Sequence, residues 1–248
     1  MGASAEQPAG GVLYLVSTPI GNLEDITLRA LRIFREVEVI CAEDTRTLRR
    51  LLSHYNIEYQ DKRLLSYYSH NERGRIPQVL QLLKEGHRVA LVSEAGTPTI
   101  SDPGYRLVAA AIGENIPVVP IPGASACLSA LIASGLPTQR FVFEGFLPKK
   151  KGRTARLKWL CQAPATVILY ESPHRLLKTI EDIVNLCGNR YIVISRELTK
   201  RFEEFIRGYA TDLLKELRSR TVKGECVLLI ASEDFRPEAI NREKVNES

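Results

Sequence analysis

Four short runs of the chain, Val12–Ser17, Val37–Cys41, Val89–Ser93 and Ile116–Ile121, are almost wholly apolar and rich in Val, Ile and Leu. Such runs lack in-out alternation, so they belong to strands buried on both faces. Leu28–Phe34, Arg75–Leu83 and Arg106–Ile112 lie between them and space their apolar residues as helices do. That alternation restricts the first half to βαβ units around a mainly parallel sheet. A second series predicts strands at Phe141–Gly145, Val167–Glu171, Tyr191–Arg196, Glu203–Arg207 and Glu225–Ala231. Helices are expected at Arg153–Cys161, Arg175–Cys187 and Asp212–Arg218. Glu203–Arg207 and Glu225–Ala231 stand close enough to run antiparallel to a neighbour, so this sheet is expected to be mixed. Three prolines in Pro117–Pro122 remove ladder donors and mark the boundary. The expected fold class is therefore α/β, with two α/β domains at 1–121 and 122–232 and a polar tail at 233–248.

Composition removes several function classes. With 44% hydrophobic and 25% charged residues the chain is globular. No apolar run approaches the roughly 18 residues of a membrane span. Met1–Gly10 carries Glu6 and no basic side chain, unlike a secretory signal, so a cytoplasmic location is expected. The five cysteines are scattered without a C-x-x-C pair, which supports neither a disulfide framework nor a cysteine-bound metal. Charge is more informative. Residues 1–121 hold 13 basic and 14 acidic side chains, whereas 122–248 hold 21 and 15. Lys149–Lys158 (KKKGRTARLK) alone contributes six positive charges and no negative one. A run of this kind is either a solvated loop entering a surface helix or a phosphate-binding patch.

Three turns rich in Gly, Pro and small polar residues follow predicted strands directly: Thr18–Asn22, Ser93–Gly104 and Pro122–Ala126. In open α/β sheets a ligand lies beyond the carboxyl ends of the strands. Ser101, Asp102 and Pro103 have a plainer reading as the cap and start of the next helix. Neither G-x-G-x-x-G nor G-x-x-x-x-G-K-[ST] is present, so the usual pyrophosphate and triphosphate cradles are missing.

Over residues 13–230 the strings LYLVSTPIGNLEDITLRAL, AEDTR, HNE, ALVSEAGTPTISDPG, VVPIPGASA, FEGFLP, YESPHRL and KGECVLLI occur in one order. In them the chain resembles the tetrapyrrole-methylase-type (class III) S-adenosylmethionine-dependent methyltransferases. Within that family it is similar to the bacterial small-subunit (16S) rRNA cytidine ribose-2′-O-methyltransferases. The resemblance implies two α/β domains with S-adenosylmethionine in the cleft between them, a homodimer, and a decoding-centre cytidine of the assembled small subunit as substrate. For the cofactor it points to Pro19, Ile20 and Gly21, then Glu94, Gly96, Thr97 and Ile100, then Ser125 and Ala126. From the second domain it adds Tyr170, Glu171, Gly224, Glu225 and Cys226, of which Tyr170 and Cys226 are equally readable as core. The chain departs from the pattern twice: Glu94 stands where many members carry Asp, and many members continue further beyond the second domain.

A ribose hydroxyl is a poor nucleophile while protonated, so a carboxylate or imidazole beside it is expected to help. The catalytic candidates are Glu43 and Asp44 in AEDTR, His70 and Glu72 in SHNE, and Glu144 in FEGF. A buried Asp–Arg pair tying down the turn competes for AEDTR. Arg46 and Arg175 suit RNA phosphate or sugar oxygens. Lys149, Lys150, Lys151 and Arg153 are the expected RNA-backbone contacts, orienting rather than specifying. Partners are thus 16S rRNA in the small subunit and a second copy of the chain, with neither DNA nor membrane and no metal. Two alternatives stand beside this reading: a tetrapyrrole C-methyltransferase of the same fold, and a non-catalytic RNA-binding assembly factor.

Overall fold

The computed structural model describes residues 10–237. The chain divides into two compact units, residues 1–125 and 126–248. Unit 1 carries β1 (Val12–Val16), α1 (Leu28–Glu36), β2 (Val39–Ala42), α2 (Thr45–His54), β3 (Arg63–Ser66), α3 (Glu72–Lys84), β4 (Arg88–Val92), α4 (Tyr105–Gly113) and β5 (Val118–Ile121). Its strands pair in the order β3-β2-β4-β1-β5, all parallel. Alternate side chains of β1 feed opposite faces, as the pleat requires. Val12, Tyr14 and Val16 pack with Ile33 and Phe34 of α1 and Leu48 and Leu52 of α2. Leu13 packs with Val79 and Leu83 of α3 and Leu107 of α4. The strands read as unbroken apolar runs because both faces are covered.

The Pro-rich stretch expected to end pairing is itself the edge strand β5, with Leu15 opposite Pro120. An edge strand needs donors on one side only, so proline is tolerated there. The turn Pro122–Ala126 follows it, and the division between the units falls inside that turn. The last 11 residues of the expected tail, 238–248, lie outside the described residues, as do 1–9.

Unit 2 contains α5 (Ala126–Ser134), β6 (Phe141–Phe146), α6 (Arg153–Cys161), β7 (Thr166–Glu171), α7 (Pro173–Cys187), β8 (Tyr191–Arg196), β9 (Glu204–Tyr209), α8 (Ala210–Arg218) and β10 (Cys226–Ile230). The sheet order is β6-β7-β10-β8-β9. Only β6 and β7 are parallel; every other pair is antiparallel, so the sheet is mixed. Leu157 and Leu160 of α6, Leu176, Ile180 and Ile183 of α7, and Leu213 and Leu217 of α8 bury against Leu169, Ile194 and Leu228. Cys161 and Cys187 are joined as a disulfide, with Cα atoms 5.2 Å apart. The sequence reading had no pairing here, because the two residues stand 26 positions apart and only the packing of α6 beside α7 brings them together. No helix among the described residues is long and apolar enough to cross a membrane.

Candidate active site

In unit 1 the chain runs outward from β1 to β2 and β3, then returns to β4 and β5, so the strand order reverses beside β1 and β4. Such a reversal opens a crevice at the carboxyl ends of the strands. The three Gly- and Pro-rich turns converge there and are clipped together. Thr18 N–H donates to the Gly96 carbonyl (2.9 Å), and Gly96 N–H returns a bond to Thr18 (3.0 Å). The Thr97 hydroxyl donates to the Ala124 carbonyl (3.0 Å) and accepts from Ser17 Oγ (3.2 Å). Two glycines make this fit possible. Gly96 has φ +85°, and a Cβ on it would sit 3.3 Å from Ile20 Cγ2; one on Gly123 would sit 2.8 Å from Ser17 Cβ.

The second turn is locally strained, with Thr99 at φ 72° and Ser101 at φ 67°. Side chains at such angles cost about 1–3 kcal/mol each and persist where surrounding structure holds them. The capping alternative does not hold: α4 begins after Gly104, and no side chain caps it. Its tether is Glu72, a buried carboxylate that accepts from Gly104 N–H (3.0 Å) and from the Tyr67 hydroxyl (3.0 Å). Neighbouring His70 is exposed, its ring edge-on to Tyr68 at 6.5 Å. SHNE thus supplies a structural carboxylate that holds the end of the turn and an exposed imidazole.

A cavity of about 360 Å³ lies between the ends of β1, β2 and β4. Pro19, Gly21, Glu43, Asp44, Glu94 and His54 line it, with Leu23, Leu48 and Leu51 as apolar wall. The volume is in the range of small-molecule sites. Glu43 is half-buried, and that burial, with the nearby Glu94 charge, raises its carboxyl above the usual range against an opposing backbone hydrogen bond from Glu94. Asp102 is pushed up to about 7 by burial first, then by Glu43 and Glu94. Asp44 behaves oppositely: it caps α2 through Arg46 N–H (2.7 Å) and binds the Arg46 guanidinium (2.6 Å), which holds it down at about 2. This Asp–Arg pair forms at the surface rather than in the core. Asp102 was not among the catalytic candidates; its signal was its place in ISDPG, two residues before a glycine at φ +133°.

The residues assigned to a cofactor fall on both units. Pro19, Ile20, Gly21, Glu94, Gly96, Thr97 and Ile100 border the clipped turns of unit 1, and Ser125 ends that unit. Ala126 opens α5 in unit 2, where the Tyr170 hydroxyl accepts from Cys127 N–H (3.2 Å) and its ring meets Phe143 edge-on. Cys226 is buried in β10, its thiol pushed up to about 11 by that burial. Gly224 has φ +86°, which strains any larger residue, and a Cβ there would have to displace the Glu197 side chain. Glu225 reaches Lys200 Nζ (2.8 Å).

Glu171 has a different setting. Its side chain is 1% exposed, accepts from the Thr179 hydroxyl (2.6 Å) and Ser172 N–H (2.9 Å), and forms an ion pair with Arg175 Nε (3.3 Å). Arg153 lies 4.0 Å away and binds Thr179 Oγ1 (2.8 Å) and Asp182 (3.0 Å). Arg175 donates to the Leu147 carbonyl (3.0 Å) and Arg153 to that of Pro148 (3.4 Å). Both guanidiniums are therefore committed within unit 2, where they anchor the start of the basic loop. Lys149, Lys150 and Lys151 stand exposed on that loop, with no ion pair among the described residues. Glu144 of β6 binds Arg156 Nε (2.6 Å).

Comparisons with known proteins agree with this architecture. The family model described as Tetrapyrrole (Corrin/Porphyrin) Methylases matches residues 12–214. A protein of Halalkalibacterium halodurans named "Ribosomal RNA small subunit methyltransferase I" is 50% identical over 93% of this chain and 80% of its own length. A protein of the same name from Hydrogenobaculum sp. is 48% identical over 90% of this chain and 96% of its own length. Among solved structures, the methyltransferase CobJ superposes with a TM-score of 0.68 over 92% of this chain and 96% of that one, at 18% identity, a likeness of fold alone. The chain belongs to the tetrapyrrole (corrin/porphyrin) methylase family and, within it, to the group named ribosomal RNA small subunit methyltransferase I.

Proposed function

We propose that this chain transfers the methyl group of S-adenosylmethionine to the ribose 2′-hydroxyl of a decoding-centre cytidine in small-subunit rRNA. The observation that carries the reading is the clipped set of turns bordering an acidic, apolar-walled cavity. Identity near 50% to relatives named as small-subunit rRNA methyltransferases directs it to RNA. The cradle suits the cofactor. Gly96 brings backbone where a side chain would crowd Ile20, and the carboxylates Glu43 and Glu94 match a ligand that carries a sulfonium and an ammonium. Pro19, Ile20, Gly21, Gly96, Thr97, Ile100, Ser125 and Ala126 would hold it. When bound, it supplies an electrophilic methyl carbon.

The chain's own contribution is positioning and proton management. Rigid turns fix the approach of the nucleophile, from which several kcal/mol of barrier lowering can come. Glu43 and Asp102, both raised by burial, are the carboxylates suited to accept the hydroxyl proton near neutral pH. Asp44, held low by Arg46, stays anionic and orients α2. Lys149–Lys151 would take RNA phosphates without reading sequence. The test is transfer of labelled methyl to small subunits that lack the modification; label entering a porphyrinoid instead would refute the RNA reading.

A further inference from the structure

We propose that Trp159, with Arg156 stacked on it, is a platform for an unpaired nucleobase of the RNA, an inference that rests on the rRNA reading above. Trp159 is the chain's one tryptophan, and it is 51% exposed on the last turn of α6. Leu157 and Leu160 of the same helix enter the core, which Trp159 does not join. Other large apolar side chains are as exposed, among them Phe146 and Phe202; what sets Trp159 apart is the cation held on its ring and the basic run beside it.

Its immediate partner is cationic. The Arg156 guanidinium carbon lies 4.6 Å from the indole centroid. Arg156 is itself held by Glu144 at 2.6 Å, and the Glu144 side chain is 10% exposed. That single Nε–Oε1 bond to a nearly buried carboxylate keeps the guanidinium from sweeping freely through solvent. Glu144, first considered as a catalytic group, thereby becomes a positioning residue for the ring. Gly152, Arg156 and Trp159 recur at i, i+4 and i+7, so they share one face of the helix. The rise from Gly152 to Trp159 is about 10 Å. Lys149, Lys150 and Lys151 precede that stripe, and Lys158 adjoins it.

This juxtaposition of an exposed ring, a stacked guanidinium and a run of free lysines matches how proteins hold single-stranded RNA. The lysines take phosphates, while unstacked bases lie on aromatic rings and guanidinium planes. Lys149–Lys158 carries six positive charges and no negative one, so the charge of this face favours a polyanion.

The single tryptophan supplies the assay. Full-length protein is titrated at low salt with fluorescently labelled single-stranded oligocytidylate, and separately with an RNA duplex of equal phosphate count. Binding is followed by anisotropy and the indole by its emission. The single strand is expected to quench Trp159 and shield it from acrylamide, and the duplex is not. Against small subunits, Trp159→Ala is expected to bind about ten-fold more weakly and Trp159→Phe close to the parent. The proposal is overturned if the indole stays open to acrylamide at saturating RNA, if the single strand does not bind, or if Trp159→Ala keeps full affinity. It is also overturned if emission follows protein concentration without RNA, which would assign the ring to self-association. Methylation of small subunits by a fully active Trp159→Ala variant would sink this inference alone; no methylation by the parent would sink the rRNA reading.

Discussion

Replacing Glu171 separates a structural carboxylate from a ligand-binding one. The side chain is 1% exposed and faces Thr179 Oγ1, Ser172 N–H, Arg175 Nε and, at 4.0 Å, Arg153. Glu171→Ala leaves the Ser172 donor short of an acceptor and two guanidiniums short of an anion. Removing one partner of a buried ion pair costs about 3–5 kcal/mol. Asp182, 3.0 Å from Arg153, offsets part of that loss and places the expectation at the lower end, about 3 kcal/mol. Glu171→Gln keeps the shape, but its amide must turn a donor toward either Ser172 N–H or the Thr179 hydroxyl, at about 1–3 kcal/mol. Urea unfolding followed by Trp159 emission measures this directly, because the sole tryptophan lies in unit 2. Both variants should unfold at lower urea, Ala before Gln, and bind S-adenosylmethionine with affinity near the parent once folded. A loss under about 1 kcal/mol for Glu171→Ala, together with weakened cofactor binding, would refute the reasoning.

Three further expectations rest on other parts of the molecule. Gly96→Ala forces a side chain into φ +85° beside Ile20, so it should cost about 1–2 kcal/mol and weaken S-adenosylmethionine binding by calorimetry; unchanged affinity would remove Gly96 from the cradle. Asp102, raised from 3.8 to about 7, contributes stability that is fully present below its unfolded value and lost as pH climbs through 7. Asp102→Asn should therefore flatten the stability profile between those limits and be the more stable protein at pH 8, whereas parallel profiles would contradict the assignment. Cys187→Ser opens a link between residues 26 apart and should destabilise the oxidised protein by roughly 3 kcal/mol, with no effect when both proteins are reduced.

Much of the fold was legible because its central strands are buried on both faces. Val12–Ser17 and Val89–Ser93 announced β1 and β4 within a residue or two. The missing pieces have physical causes. β3, with the sequence RLLS, was not anticipated: it is a four-residue edge strand only partly buried, so it carries no unbroken apolar run. α2 begins inside AEDTR, where Asp44 is an N-cap and the first turn is charged, which masked Leu48 and Leu52. α5 is apolar nearly all round and has no polar face to set a helical period. For the site, Gly and Pro marked the converging turns, since only backbone chemistry was at stake. What local sequence could not express was which charges pair over distance: Arg153 with Asp182, Arg175 with the Leu147 carbonyl, and Glu144 with Arg156.

The most direct test of the central claim uses methyl-labelled S-adenosylmethionine, the full-length protein and small subunits from cells lacking the modification. Alkaline hydrolysis of the labelled rRNA follows. Alkali cleaves RNA through the free 2′-hydroxyl, so a 2′-O-methylated cytidine survives within a resistant dinucleotide. The account predicts label in one such dinucleotide that begins with cytidine. Label released in mononucleotides would place the methyl on a base, and no transfer to RNA at all would contradict the account outright.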